Sequence, residues 1–219
     1  MKLSKQTLEV LKNFSGINQN LYVKPGSVLR TMTTVKNVLA SVEVAEVFPQ
    51  EFGIYNLNEF LGVLSLFDDP DLSFDEKNLV ITQGKNSVTY YYAAKDVLVT
   101  PEKDIKMPSV DVTFTLTKEV LSSLQKAASV LKVAELVVSG SDGVVSVTVS
   151  DTKNATANKY SVDVGTTDAT FTAVFNIDNL KLINGDYDVE ISSKKISKFT
   201  NSAMNYTAFI ALEMSSKFD

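Results

Sequence analysis

Apolar residues along the 219-residue chain recur with two periods, helical and alternating, and the two appear in the same order twice. Near the start, Thr7, Val10, Leu11 and Phe14 return at helical spacing behind Ser4, a hydroxyl residue suited to an N-cap, so the pattern predicts a helix over residues 4–14. Alternating, β-branched segments at 22–23, 28–34 and 38–47 then read as strands, interrupted by the turn chemistry of Pro25-Gly26 and Lys36-Asn37. The run 54–64 reads as a short strand entering a helix capped at Asn56 or Asn58. Further strands are predicted at 79–82 and 88–92.

The second half restates this plan. A strand at 112–116 leads to Thr117, which caps a predicted helix whose Val120, Leu121, Leu124, Ala128 and Leu131 share a face. Strands follow at 136–139, 144–149, 160–164 and 170–175. Phe175-Asn176-Ile177-Asp178-Asn179-Leu180 repeats the character of Tyr55-Asn56-Leu57-Asn58-Glu59-Phe60 at an offset of 120, and Thr117-Lys118 repeats Ser4-Lys5 at an offset of 113. Two matches in the same order at nearly one offset are what a duplicated domain leaves. The expectation is an α+β protein of two domains, 1–99 and 111–219, each with two helices laid on one face of an antiparallel sheet. The linker, 100–110, holds two prolines and charges of both signs.

Composition narrows the chemistry. The chain contains no His, Cys or Trp, which removes the imidazole base, the thiol nucleophile, disulfides and the usual zinc sites. Ser and Lys are plentiful, but no motif sets a base beside a nucleophile. Gly84-Lys85-Asn86-Ser87 lacks the upstream glycine of a phosphate loop. Asp68-Asp69-Pro70-Asp71, followed by Asp75-Glu76, lacks the Gly and spaced Glu of a calcium loop and reads as a solvated turn. The sequence thus points to no enzyme, no metal and no cofactor. No apolar run reaches membrane length and charges interrupt the start, so an intracellular protein is expected.

The net charge of −5 conceals a separation. Lys2, Lys5 and Lys12 against Glu9 give the first helix region +2, and Lys118, Lys126 and Lys132 against Glu119 give its counterpart +2, so the remainder carries −9. On the second of these helices Lys118, Ser122, Gln125, Ser129 and Lys132 fall at 4-3-4-3 spacing, which predicts a polar stripe opposite the apolar one. A basic face repeated on equivalent helices of an acidic chain suits a polyanion.

Met1-Lys2-Leu3-Ser4-Lys5, Leu11-Lys12-Asn13-Phe14 with Ile17-Asn18, and Tyr55-x-Leu57-Asn58-x-Phe60-Leu61-Gly62-x-Leu64-Ser65-Leu66 resemble the sliding clamps, or DNA polymerase processivity factors, of T-even-type tailed phages. Lys198-Phe199, Asn205-Tyr206 and Ala211-Leu212-Glu213 add to the resemblance. It implies a homotrimeric ring of six similar domains, sheets outside and helices inside, that encircles duplex DNA, tethers the replicative polymerase and is loaded by a separate ATPase. Such a protein would work in the cytoplasm of the infected host. By this resemblance Lys5 and Lys12 face the DNA, joined through the internal repeat by Lys118, Lys126 and Lys132. Partners of such clamps insert a short peptide into an apolar pocket beside the linker, where Ile105, Met107 and Pro108 would form the edge. The strand at 88–92 would meet residues 161–164 of a neighbouring subunit. A non-catalytic structural oligomer, such as a phage tail or capsid component, is the alternative with the same composition.

Overall fold

The computed structural model describes residues 1–219 and divides into two compact units, Met1–Asp104 with Met204–Tyr206, and Ile105–Ala203 with Thr207–Asp219. The first unit runs α1 (Lys5–Ile17), β1 (Leu21–Val23), β2 (Gly26–Met32), β3 (Val38–Phe48), β4 (Phe52–Ile54), α2 (Leu57–Leu64), β5 (Asp71–Phe74), β6 (Asn78–Gln83) and β7 (Asn86–Tyr91). Ser4 caps α1, its hydroxyl accepting from the Thr7 amide at 3.2 Å, and Asn56 caps α2 by accepting from the amides of Asn58 and Glu59. α1 buries Thr7, Val10, Leu11, Phe14 and Ile17, and it packs on β2, β3 and α2. The strands pair antiparallel as β1–β4, β2–β3 and β5–β6–β7.

β5 lies inside the acidic run that reads as a turn in the sequence. Leu72 is its one buried residue, paired opposite Ile81, and a single leucine among aspartates carries no visible period. Within the Tyr90-Tyr91-Tyr92 triplet, Tyr90 meets Phe60 edge-on and Tyr92 meets Phe52, both at 5.2 Å between centroids, while Tyr91 is 73% exposed. That is the alternation of a strand.

The second unit runs β8 (Val112–Leu116), α3 (Lys118–Leu131), β9 (Glu135–Ser141), β10 (Val144–Ser150), β11 (Tyr160–Thr166), β12 (Phe171–Asn176), β13 (Tyr187–Ser192), β14 (Ile196–Asn201), β15 (Tyr206–Ala211) and β16 (Lys217–Phe218). One antiparallel sheet has the order β11-β10-β9-β12-β16, and β8, β13, β14 and β15 are successive neighbours in another. α3, capped by Thr117, packs on β10 and β11. The sequence pattern did not single out β13 to β16, although Tyr187, Val189 and Ile191 alternate inward along β13.

The architecture is α+β with antiparallel sheets, as the periodicity predicts, but it holds three α-helices rather than four. The counterpart of α2 is a single 3-10 turn, Ile177–Asn179. Asn176 caps it as Asn56 caps α2, accepting from the Asp178 amide at 3.0 Å. Its continuation differs: Asn184-Gly185 follows Leu180 too soon for a helix to propagate, and the Ile183 carbonyl accepts from the buried Tyr187 hydroxyl at 2.5 Å.

Candidate nucleic-acid interface

At about 100° per residue, Lys5 and Lys12 lie within roughly 20° of the direction opposite the buried face of α1. They form its outermost ridge with Glu9 and Gly16, and all four are exposed. The stem of Lys12 also borders a cavity of about 150 Å³ between α1 and α2, lined by Leu3, Leu8, Leu61 and Leu64.

α3 is turned differently from the stripe expected above. Its buried residues, Leu121, Leu124 and Ala128, place Glu119, Lys126 and Val130 on the outermost line. Lys118, Gln125 and Ser129 lie on the flank, not opposite the core. Lys118 donates its backbone amide to Asp186 Oδ1 at 2.7 Å, and Gln125 Nε2 reaches the Leu180 carbonyl at 3.4 Å. The cause is a one-residue difference between capping and packing. The caps correspond at offset 113, whereas Thr7, Val10 and Phe14 correspond to Leu121, Leu124 and Ala128 at offset 114. By burial, Lys126 takes the place of Lys12, and Glu119 takes that of Lys5. Lys132 is the C-cap, exposed and left-handed with φ 55°. None of these five lysines is held in an ion pair.

Two carboxylates absent from the sequence-based candidates sit at the starts of these helices. Glu46, 9% exposed on the inner face of β3, accepts from the Ser4 amide and from Thr7 Oγ1, the latter at 2.5 Å. Burial alone would raise its carboxyl, but the hydrogen bonds from Thr7 and Ser4 outweigh burial and hold it below the ordinary range. Its signal in the sequence is phase: Val42, Val44, Glu46 and Phe48 alternate inward together. Asp186 does the same for α3 through the Lys118 amide.

The remaining candidates lie in irregular chain. Ile105 and Pro108 are exposed and Met107 is half-buried. Upstream, Arg30 fastens the segment to β2, with its guanidinium 3.0 Å from Asp104 and hydrogen-bonded to the Lys103 carbonyl at 2.9 Å. In the acidic loop, Asp69 is paired with Lys2. β7 and β11 are each the last strand of their sheet, with Tyr91 and Tyr160 exposed on them. No helix is long and apolar enough to cross a membrane.

Comparison with known proteins agrees with this arrangement. The profile of the DNA polymerase processivity factor family matches residues 2–99, and that of the gp45 sliding clamp, C terminal, matches residues 113–214. The sliding clamp of Vibrio phage KVP40 is 35% identical over 97% of this chain and 99% of its own, and that of Enterobacteria phage T4 is 30% identical over the whole of both. Among solved structures, the proliferating cellular nuclear antigen of Entamoeba histolytica superposes with a TM-score of 0.68 over 95% of each chain at 15% identity, a likeness of fold. With two basic helices on antiparallel sheets, and with profile matches across both units, the chain belongs to the sliding-clamp family of phage DNA polymerase processivity factors.

Proposed function

We propose that this chain is a non-catalytic clamp that assembles as a homotrimeric ring, encircles duplex DNA without reading its sequence and tethers the replicative polymerase of a phage inside the infected cell. One observation carries the reading: the α1 and α3 regions each carry a net charge of +2, with an exposed lysine on the outward line of both helices, in a chain whose remainder is strongly acidic. Lysine head groups follow any phosphate, and a closed ring needs no tighter hold. In this reading the clamp domains are 1–99 and 111–219 with the linker at 100–110. Lys5, Lys12, Lys118, Lys126 and Lys132 face the DNA, with Lys12 and Lys126 central. The free edges of β7 and β11 support closure by pairing between subunits, as unpaired strands invite. A separate ATPase opens and loads the ring, and partner peptides dock beside Ile105, Met107 and Pro108.

Retention on DNA tests this. Protein loaded on nicked circles is expected to stay bound and to leave once the same DNA is linearised. Equal loss from both forms, or a monomer by light scattering at high concentration, would refute the ring and favour a structural oligomer or a simple surface binder.

A further inference from the structure

A helix begins with unpaired amides and a partial positive charge, so an N-terminus carrying lysine is an ordinary seat for a phosphate. Both basic helices of this chain begin that way, at Ser4-Lys5 and at Thr117-Lys118. In both, a carboxylate from a distant element already occupies the seat. Glu46, 42 residues from Ser4, accepts its amide; Asp186, 68 residues from Lys118, accepts that amide at 2.7 Å. The device is not an echo of duplication. Glu46 lies within β3 and Asp186 lies just before β13, a separation of 140 where the internal repeat runs at 113 to 120.

Resting on the clamp reading above, we propose that Glu46 and Asp186 keep the phosphates of DNA off the amino ends of α1 and α3, so that only lysine side chains touch the duplex and the ring slides freely. A phosphate clasped by backbone amides is held in one geometry, because the amides cannot move with it. A lysine on a flexible stem passes from one phosphate to the next. Each carboxylate also cancels one unit of positive charge beside Lys5 or Lys118, lowering the attraction where a fixed grip would form. The two residues act through the helix ends and are positioning residues for a mobile contact.

Asp186→Asn is the primary variant because Asp186 is exposed, and Glu46→Gln, at a buried position, is the second. Inorganic phosphate titrated against the intact protein is expected to leave the amide resonances of Lys5, Gln6, Lys118 and Glu119 unmoved. In Asp186→Asn those of Lys118 and Glu119 should shift, and in Glu46→Gln those of Lys5 and Gln6. On duplex DNA each variant should diffuse about two- to fivefold more slowly than the intact ring, with a steeper salt dependence. Phosphate shifts of equal size in the intact protein and Asp186→Asn, or unchanged resonances and diffusion in Asp186→Asn, would overturn the proposal. Loss of the intact protein from circular DNA would instead defeat the clamp reading, while the phosphate titration still decides the role of the carboxylates.

Discussion

Asn18 fixes Val99: its Nδ2 donates to the Val99 carbonyl at 3.0 Å and to the Met32 carbonyl at 2.8 Å, while its Oδ1 accepts from the Asn20 amide at 2.9 Å. Asn20 completes the link by accepting from the Val99 amide at 3.1 Å. The pair joins the end of α1 to the segment that leads into the linker. Asn18 is 8% exposed, so Asn18→Ala leaves two carbonyls and an amide short of partners. The variant is expected to lose about 2–3 kcal/mol in urea unfolding, with an unchanged dependence on denaturant.

Glu46 gives the first unit a dependence on acid. Its folded carboxyl lies below the unfolded value of about 4.3, so its stabilisation is present above that pH and is lost as pH falls through the folded value. Glu46→Gln keeps the shape but removes the charge from the start of α1. Chemical denaturation at neutral pH should show the variant less stable by about 1–2 kcal/mol, and the difference should shrink steadily below pH 4. A difference independent of pH would mean that the carboxylate contributes nothing beyond its shape.

What the sequence disclosed, and what it hid, divides along physical lines. The caps at Ser4, Asn56 and Thr117, and most strands before residue 176, are local: each rests on side chains within a few positions of the elements they bound. The lost counterpart of α2 depends on Asn184-Gly185 and on the Ile183 carbonyl accepting from the Tyr187 hydroxyl four residues on, a side-chain contact that no helical period records. For the candidate interface, charge on α1 and α3 was readable, but the rotation of α3 was not. That rotation follows from Leu121, Leu124 and Ala128 meeting β10 and β11. Asp186 was invisible for the same reason, since its partner lies 68 residues away.

The rotation of α3 orders the lysines. Lys12 and Lys126 stand on the outward lines, whereas Lys118 lies on a flank beside Asp186 and Lys132 lies at the C-cap of α3. Replacing Lys12 and Lys126 together with Ala should weaken DNA retention more than replacing Lys118 and Lys132, and should lower the salt dependence by about one phosphate contact per lysine lost. Both double variants should keep the mass of the intact oligomer, because no ion pair involves these residues. A larger effect from Lys118 and Lys132 would mean that the flank, not the ridge, meets the DNA, and equal effects would remove the order proposed among the lysines.

The edge of β7 permits a test of assembly that spares the fold. Gln83 and Asn86 close a two-residue hairpin around Gly84, at φ 60°, so this pair exchanges hydrogen bonds and alternate pairs beyond it do the same. The phase is consistent further along the strand, where the Tyr92 amide donates to the Lys77 carbonyl at 3.1 Å. Val88 and Tyr90 therefore bond to β6, and the amide of Thr89 points away from it. Proline at 89 removes a donor only from the free edge, while proline at 88 also breaks the β6 ladder. Thr89→Pro is expected to retain its far-ultraviolet circular dichroism and to sediment as a smaller species. Val88→Pro should in addition lose about 3 kcal/mol or more of stability. A Thr89→Pro protein of unchanged mass would exclude strand pairing through β7 as the means of closing the ring.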